Sequence, residues 1–82
     1  MRDVQVLLET MTLDAAGRPA RFRYNNRLHV VQDHLDDWRA GGRWWLDEPC
    51  RDCWLVHTGS LTAELHHEDA EQGRWWLARI QD

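Results

Sequence analysis

Cys50 and Cys53, separated by two residues, are the pair best suited to chemistry in this sequence. A Cys-x-x-Cys pair supplies half of a tetrahedral zinc site. His57, His66 and His67 are the available imidazoles. If Cys53 opens a hairpin and faces His66 across it, thiol and imidazole are close enough to share an ion. His57 lies four residues further along the same strand, about 13 Å away at ~3.3 Å per residue, and is out of reach. Cys50, Cys53 and His66 then make three ligands without a fourth, so the expectation is no metal, no cofactor and two reduced thiols. A redox role is weaker still, because the pair lacks the βαβ context and the following helix that lower a thiol pKa.

Two acidic clusters follow the same logic. Asp33-His34-x-Asp36-Asp37 and Glu64-x-His66-His67-Glu68-Asp69-x-Glu71 hold side chains suited to divalent ions or proton transfer, but a charge run is ordinarily a solvated face. His66-His67-Glu68 lacks the spacing of four between histidines that a metalloprotease helix uses. The chain contains no Lys, all ten cations being Arg, and its only Ser is Ser60. Schiff-base chemistry and a phosphate-loop Lys are thereby excluded, and a Ser-His-Asp hydrolase is disfavoured. The chain is not expected to be an enzyme.

The remaining chemistry is recognition. Arg18, Arg21, Arg23 and Arg27 fall within ten residues that contain no acid, whereas the next segment carries three Asp. Charge is therefore segregated despite a net charge of −4, which argues against a simple nucleic-acid coat. Six Trp in 82 residues are the main anomaly of composition. Each indole can bury ~150–250 Å², which compensates a domain too short for an ordinary core. Trp and Arg together also make protein hot spots, or stacking platforms for single strands.

The elements that position these groups are short and extended. Turn signals recur every eight to twelve residues, at Gly17-Arg18-Pro19, Asn25-Asn26, Gly41-Gly42, Glu48-Pro49, Thr58-Gly59-Ser60 and Gln72-Gly73. This spacing predicts a single all-β domain over residues 1–82: a five- to six-stranded antiparallel meander, forming a strongly twisted sheet or a small partly open barrel. Val4 to Leu13 reads as a first strand. A three-residue loop Tyr24-Asn25-Asn26 would set Phe22 opposite Leu28 and Ala20 opposite Val30, with Arg21, Arg23, Arg27 and His29 on the other face. Residues 31–39 fit a helical face or a bent strand, and the β surroundings favour the strand. A Gly59-Ser60 turn sets Trp54 opposite Leu65 and Val56 opposite Ala63 in the core, with Cys53, Leu55, His57 and Glu64 on the reverse. Residues 66–73 read as a polar loop and Arg74 to Ile80 as the last strand.

Gly-Arg-Trp-Trp-Leu occurs twice, at 42–46 and 73–77. Neighbouring strand residues point to opposite faces, so each copy turns one indole away from a one-sided core. Regular alternation would align Trp75 with Leu77 and Arg79, and Trp76 with Ala78 and Ile80. This leaves two largely apolar faces on the last strand. Trp44, Trp45, Trp75 and Trp76 are therefore expected to include an interface residue, most simply in a homodimer.

Gly17-Arg18-Pro19, Phe22-Arg23, the Arg27 to Val30 hairpin, Trp38-Arg39, Gly42-Arg43-Trp44-Trp45, Arg51-Asp52-x-Trp54-x-Val56 and Gly73-Arg74-Trp75-x-Leu77 together resemble a small uncharacterised Trp/Arg-rich domain family of high-GC bacteria. That family is sometimes associated with Y-family-polymerase-like proteins of the mutagenesis cassette. The resemblance covers Gly17 to Asp82 and departs at Asn25-Asn26 and Cys53. It implies a domain accessory to DNA repair and assigns no residue a role; a cytoplasmic location is expected instead from the N-terminus, which does not read as a signal peptide.

The functional expectation is a non-enzymatic protein-binding or self-associating module that uses Arg21, Arg23, Arg27, His29 and the four paired Trp. The alternative is single-stranded nucleic-acid binding by the Arg18–Arg27 hairpin with exposed Trp. An early acid and alternation at the N-terminus argue against a signal peptide, and no apolar run reaches membrane-spanning length.

Overall fold

The computed structural model describes residues 1–41, 50–69 and 73–81. Eight strands are found there and no helix: β1 (Arg2–Leu8), β2 (Met11–Leu13), β3 (Pro19–Tyr24), β4 (Arg27–Val30), β5 (Asp33–Ala40), β6 (Arg51–His57), β7 (Thr62–Glu68) and β8 (Trp75–Gln81). They form a five-stranded antiparallel sheet in the order β1-β8-β7-β6-β5 and a three-stranded sheet in the order β2-β3-β4, not closed into a barrel. The all-β expectation holds. The strand count rises because Val4 to Leu13 splits between the two sheets; residues 66–68, expected in a loop, instead extend β7.

Residues 31–32 carry the chain back from the small sheet to the large one. Val31 N–H donates to the Ala20 carbonyl and Gln32 N–H to the His57 carbonyl, each at 2.8 Å. The His34 ring reaches the Pro19 carbonyl oxygen at 2.8 Å and ties β5 to β3. Between the sheets, Leu8, Phe22, Val56, Leu61, Ala63, Leu65, Leu77 and Ile80 form one buried cluster, with Trp54 and Trp75 packed at its edge.

The β6–β7 hairpin follows the alternation of its sequence. Trp54 pairs with Leu65 and Val56 with Ala63; on the reverse side Cys53 pairs with His66 and Leu55 with Glu64. Gly59 has φ +93° at the first centre position of its turn, as a type II′ connection requires.

The β3–β4 hairpin differs from its expected register by one residue. Asn25 and Asn26 both adopt left-handed backbone, with φ of 57° and 62°. The loop therefore has two residues, and its twist matches that of the flanking strands. Tyr24 pairs with Arg27, Arg23 with Leu28, Phe22 with His29 and Arg21 with Val30. A one-residue slip exchanges the faces of one strand against the other. Phe22 and His29 turn inward at 1% and 7% exposure, while Leu28 and Val30 lie outside at 57% and 50%.

Strand β8 also departs from simple alternation. Leu77 pairs with Leu65 but Arg79 pairs with Glu64, so Ala78 is an unmatched bulge residue. The bulge moves Ile80 to the inner face with Trp75 and Leu77, and leaves Arg79 with Trp76 on the outer face. The expected alignment of Trp76 with Ile80 is corrected accordingly, and β8 has one apolar face.

Candidate functional site

Cross-strand partners in an antiparallel sheet share a face. On the outer face of the five-stranded sheet, Trp38 pairs with Cys53, Cys53 with His66, His66 with Trp76, and Trp76 with Leu7. These five side chains make one row from edge to edge. Trp38 and Leu7 end it as exposed apolar groups, at 39% and 43% exposure, whereas Cys53 in the interior is buried.

Polar groups flank the row and are largely paired among themselves. His66 Nε2 lies 2.7 Å from Glu64 Oε2. The Trp76 indole N–H donates to Glu68 Oε1 at 2.8 Å, and Arg74 Nε lies 3.6 Å from Glu68 Oε2. The Arg51 and Arg74 guanidinium carbons stand 5.8 and 5.5 Å from the Trp76 ring centroid, within cation–π range. Arg79 Nε meets Asp3 Oδ1 at 3.0 Å. The Trp76 N–H, followed by desolvation that opposes it and by the Arg74 charge, leaves the Glu68 carboxyl below its ordinary pKa.

Cys53, His66 and Glu64 have the residue types of a thiol catalytic group, but the chemistry runs the other way. Burial first, and then the Glu64 charge, push the Cys53 thiol pKa up. Its sulfur faces the Arg51 carbonyl at 3.8 Å. A protonated, enclosed thiol is a packing group and a poor nucleophile. Cys50 and Cys53 form no disulfide, and no group of three or more ligating side chains converges among the described residues.

The predicted binding residues are divided among several surfaces. Arg21 and Arg23 lie on the outer face of the three-stranded sheet beside Leu28 and Val30. Arg27 lies on the inner side with Tyr24, and His29 is buried there, stacked on Phe22. Trp75 is on the inner face of the large sheet, 5.2 Å from the Trp54 ring and stacked on His67 at 4.3 Å. Trp76 is on the outer face. The Arg hairpin and the Trp75-Trp76 pair therefore do not form one platform. Trp44 and Trp45 lie outside the described residues.

Trp38, Leu7 and Arg51 are members of the outer row and its border that sequence reasoning missed. Their shared face depends on which strands are neighbours, and the pairing of β1 with β8 joins residues from opposite ends of the chain.

A family profile described as a domain of unknown function (DUF6504) matches residues 2–82. The chain belongs to this family. The DUF6504 match spans both sheets, so the two layers are one family unit. No curated protein and no solved structure matches the chain. Among the described residues of this DUF6504 domain, no helix is long and apolar enough to cross a membrane.

Proposed function

We propose that the domain is a non-enzymatic interaction module that self-associates through the outer face of its five-stranded sheet. The row Trp38–Cys53–His66–Trp76–Leu7 carries this reading: it crosses the whole sheet on one face, and its two ends, Trp38 and Leu7, are exposed apolar side chains. A second copy suits the face because much of its charge is already paired within it, as Arg79–Asp3 and Arg74–Glu68. Such a surface repels a copy of itself little and offers no strong field to a highly charged partner. Five strands of about seven residues present a footprint of roughly 550 Å². Doubled, this falls at the small end of specific interfaces, where affinities are weak.

Resemblance to domains found with Y-family-polymerase-like mutagenesis-cassette proteins supports an accessory role in DNA repair for such a module. Nucleic-acid binding, the alternative, relies on Arg and indole side chains converging. The separation of Arg21 and Arg23 from Trp76 onto different outer faces favours the protein-binding reading.

Sedimentation velocity across the micromolar range tests the proposal. The wild-type chain is expected to shift from monomer to dimer, and Trp38→Ser with Trp76→Ser to remain monomeric while keeping a native circular dichroism spectrum. A wild type that stays monomeric to several hundred micromolar refutes self-association.

A further inference from the structure

A separate cleft opens at one end of the molecule, where the β3–β4 turn, the β6–β7 turn and the start of β1 meet. Its volume is about 200 Å³, and it is lined by Arg2, Tyr24, Asn25, Arg27, His29, Ser60, Leu61 and Ile80. We propose that this cleft is a binding site for a small phosphomonoester, which Arg2, Arg27 and His29 hold by its phosphate.

The lining contains two permanent cations and no carboxylate. Several Arg side chains elsewhere pair with acids, as Arg18 does with Asp14, Arg39 with Asp52 and Arg79 with Asp3. Arg2 and Arg27 form no ion pair with a described residue, although the chain is acidic overall. Arg21 and Arg23 on the outer face of the small sheet do not pair with a described residue either, and what sets Arg2 and Arg27 apart is that they converge on one cleft. Two unneutralised guanidinium groups match a dianion better than a carboxylate monoanion, and their planar forks suit phosphate oxygens. The Tyr24 and Ser60 hydroxyls and the Asn25 amide supply neutral donors for the remaining acceptor sites.

His29 is the second, independent observation. It is 93% buried, its ring stacked on Phe22 with centroids 5.3 Å apart and planes inclined by 21°. Its ring nitrogens bond to no described residue. Among those residues, no fully enclosed side-chain nitrogen or oxygen lacks a partner, so the free imidazole edge opens on the cleft that it lines. An imidazole fixed by aromatic stacking, with its polar edge uncommitted, is a preorganised ligand group. The size of the cleft, below the ~300 Å³ at which drug-sized pockets begin, limits the ligand to a phosphate with a small organic group.

The test is a titration of the isotope-labelled full chain with inorganic phosphate, then with glycerol phosphate, at constant ionic strength balanced by chloride. The side-chain NMR signals of His29, Arg2 and Arg27 are the readout. Saturable shifts at these three residues are expected with both probes, and loss of one guanidinium is expected to weaken binding about tenfold or more. Arg27→Gln and Arg2→Gln test this. Arg18→Gln makes the same change in net charge away from the cleft and is expected to leave binding unchanged. His29→Phe keeps the stack on Phe22 and is expected to weaken binding while the fold persists. Shifts that chloride reproduces, or binding indifferent to Arg2→Gln and Arg27→Gln, overturn the proposal. So does an oligothymidylate without terminal phosphate that occupies the cleft more tightly than glycerol phosphate, since the site would then read a nucleic-acid backbone. None of these outcomes depends on the dimer, which sedimentation reads separately.

Discussion

Trp76 and Glu68 are joined by a 2.8 Å hydrogen bond from the indole N–H to a carboxylate oxygen on the neighbouring strand. Arg74 lies over the same indole ring and near the other oxygen of the same carboxylate. The indole is thus held in place by an acid at its edge and a cation at its face. A side chain that would otherwise be a mobile apolar flap becomes a fixed element of the outer row.

The first prediction concerns pH. Glu68 titrates below its ordinary value of 4.5, first because of the Trp76 hydrogen bond. A carboxyl with a depressed folded-state pKa contributes stability that is complete above the unfolded pKa and disappears as pH falls through the folded one. Trp76→Phe removes the N–H and keeps most of the ring. At neutral pH it is expected to cost about 1.5–3 kcal/mol, as for a hydrogen bond to a charged group. As pH falls through the lowered folded-state pKa of Glu68, the part of the difference due to the ionised carboxylate is expected to vanish. Urea unfolding of both proteins from pH 7 to pH 3 measures it; a difference independent of pH would assign the whole effect to packing.

The second prediction separates the two registers of the β3–β4 hairpin. Phe22→Ala is expected to cost roughly 3–5 kcal/mol, as for a large buried aromatic. Leu28→Ala, at a position 57% exposed, is expected to change stability by no more than about 0.5 kcal/mol. The register read from the sequence buries Leu28 and would make both changes severe.

That hairpin shows what sequence pattern can and cannot carry. The β6–β7 pairing was legible because Gly59-Ser60 is the only turn between two cleanly alternating runs. In β3–β4 two turn lengths were open, and sorting by hydrophobicity chose the one that gathers Phe22, Leu28 and Val30. The molecule instead buries His29, whose ring stacks on Phe22, and leaves two aliphatic side chains outside. Burial of an aromatic imidazole with an open edge offsets what a hydrophobicity count assigns to Leu28. The β8 bulge was hidden for a similar reason: Ala78 is a small apolar residue compatible with either face. Of the cleft, Arg27 and His29 were visible as local candidates. Arg2, Tyr24 and Ser60 join them only through the strand order, which no local spacing encodes.

The third prediction concerns left-handed backbone. Gln5 has φ 48° and lies in the register shift between Asp3 and Val6. A non-glycine residue in this region costs roughly 1–2 kcal/mol, and a bulge there favours Gly. Gln5→Gly is expected to raise stability by about 1 kcal/mol, and Gln5→Val to lower it by more. At Asn26, which tolerates φ 62° through its short polar side chain, Asn26→Gly is expected to be neutral or stabilising and Asn26→Ala to cost about 1 kcal/mol. Thermal unfolding of the four variants checks the order, and a destabilised Gln5→Gly would contradict the strained bulge.

The fourth prediction uses the buried thiol. Cys53 is 1% exposed with a raised pKa. In a Cys50→Ser background, the remaining thiol is expected to react with an aromatic disulfide reagent only as fast as the strand opens. Its rate should then follow stability when urea is added below the transition. Immediate reaction in native buffer would show that the sheet does not enclose it.

The last prediction explains the glycine that opens the second Gly-Arg-Trp-Trp-Leu copy. A Cβ on Gly73 would overlap the Glu68 carbonyl oxygen and crowd the His67 ring. This close approach occurs where Glu68 N–H donates to the Arg74 carbonyl at 3.0 Å. Backbone cannot yield as a flexible side-chain tip can, so Gly73→Ala must separate β7 from β8 at the end where they carry His67, Glu68, Trp75 and Trp76. A forced shift of this kind is expected to cost about 1–3 kcal/mol. It is also expected to loosen the indole of Trp76 from Glu68, so the variant should lose part of the pH-dependent stability assigned to that pair. Gly41 offers a control, because a Cβ there meets nothing within 4 Å. Gly41→Ala is therefore expected to leave stability nearly unchanged. Equal effects of the two substitutions would mean that glycine at position 73 relieves no contact and serves only the flexibility of its turn.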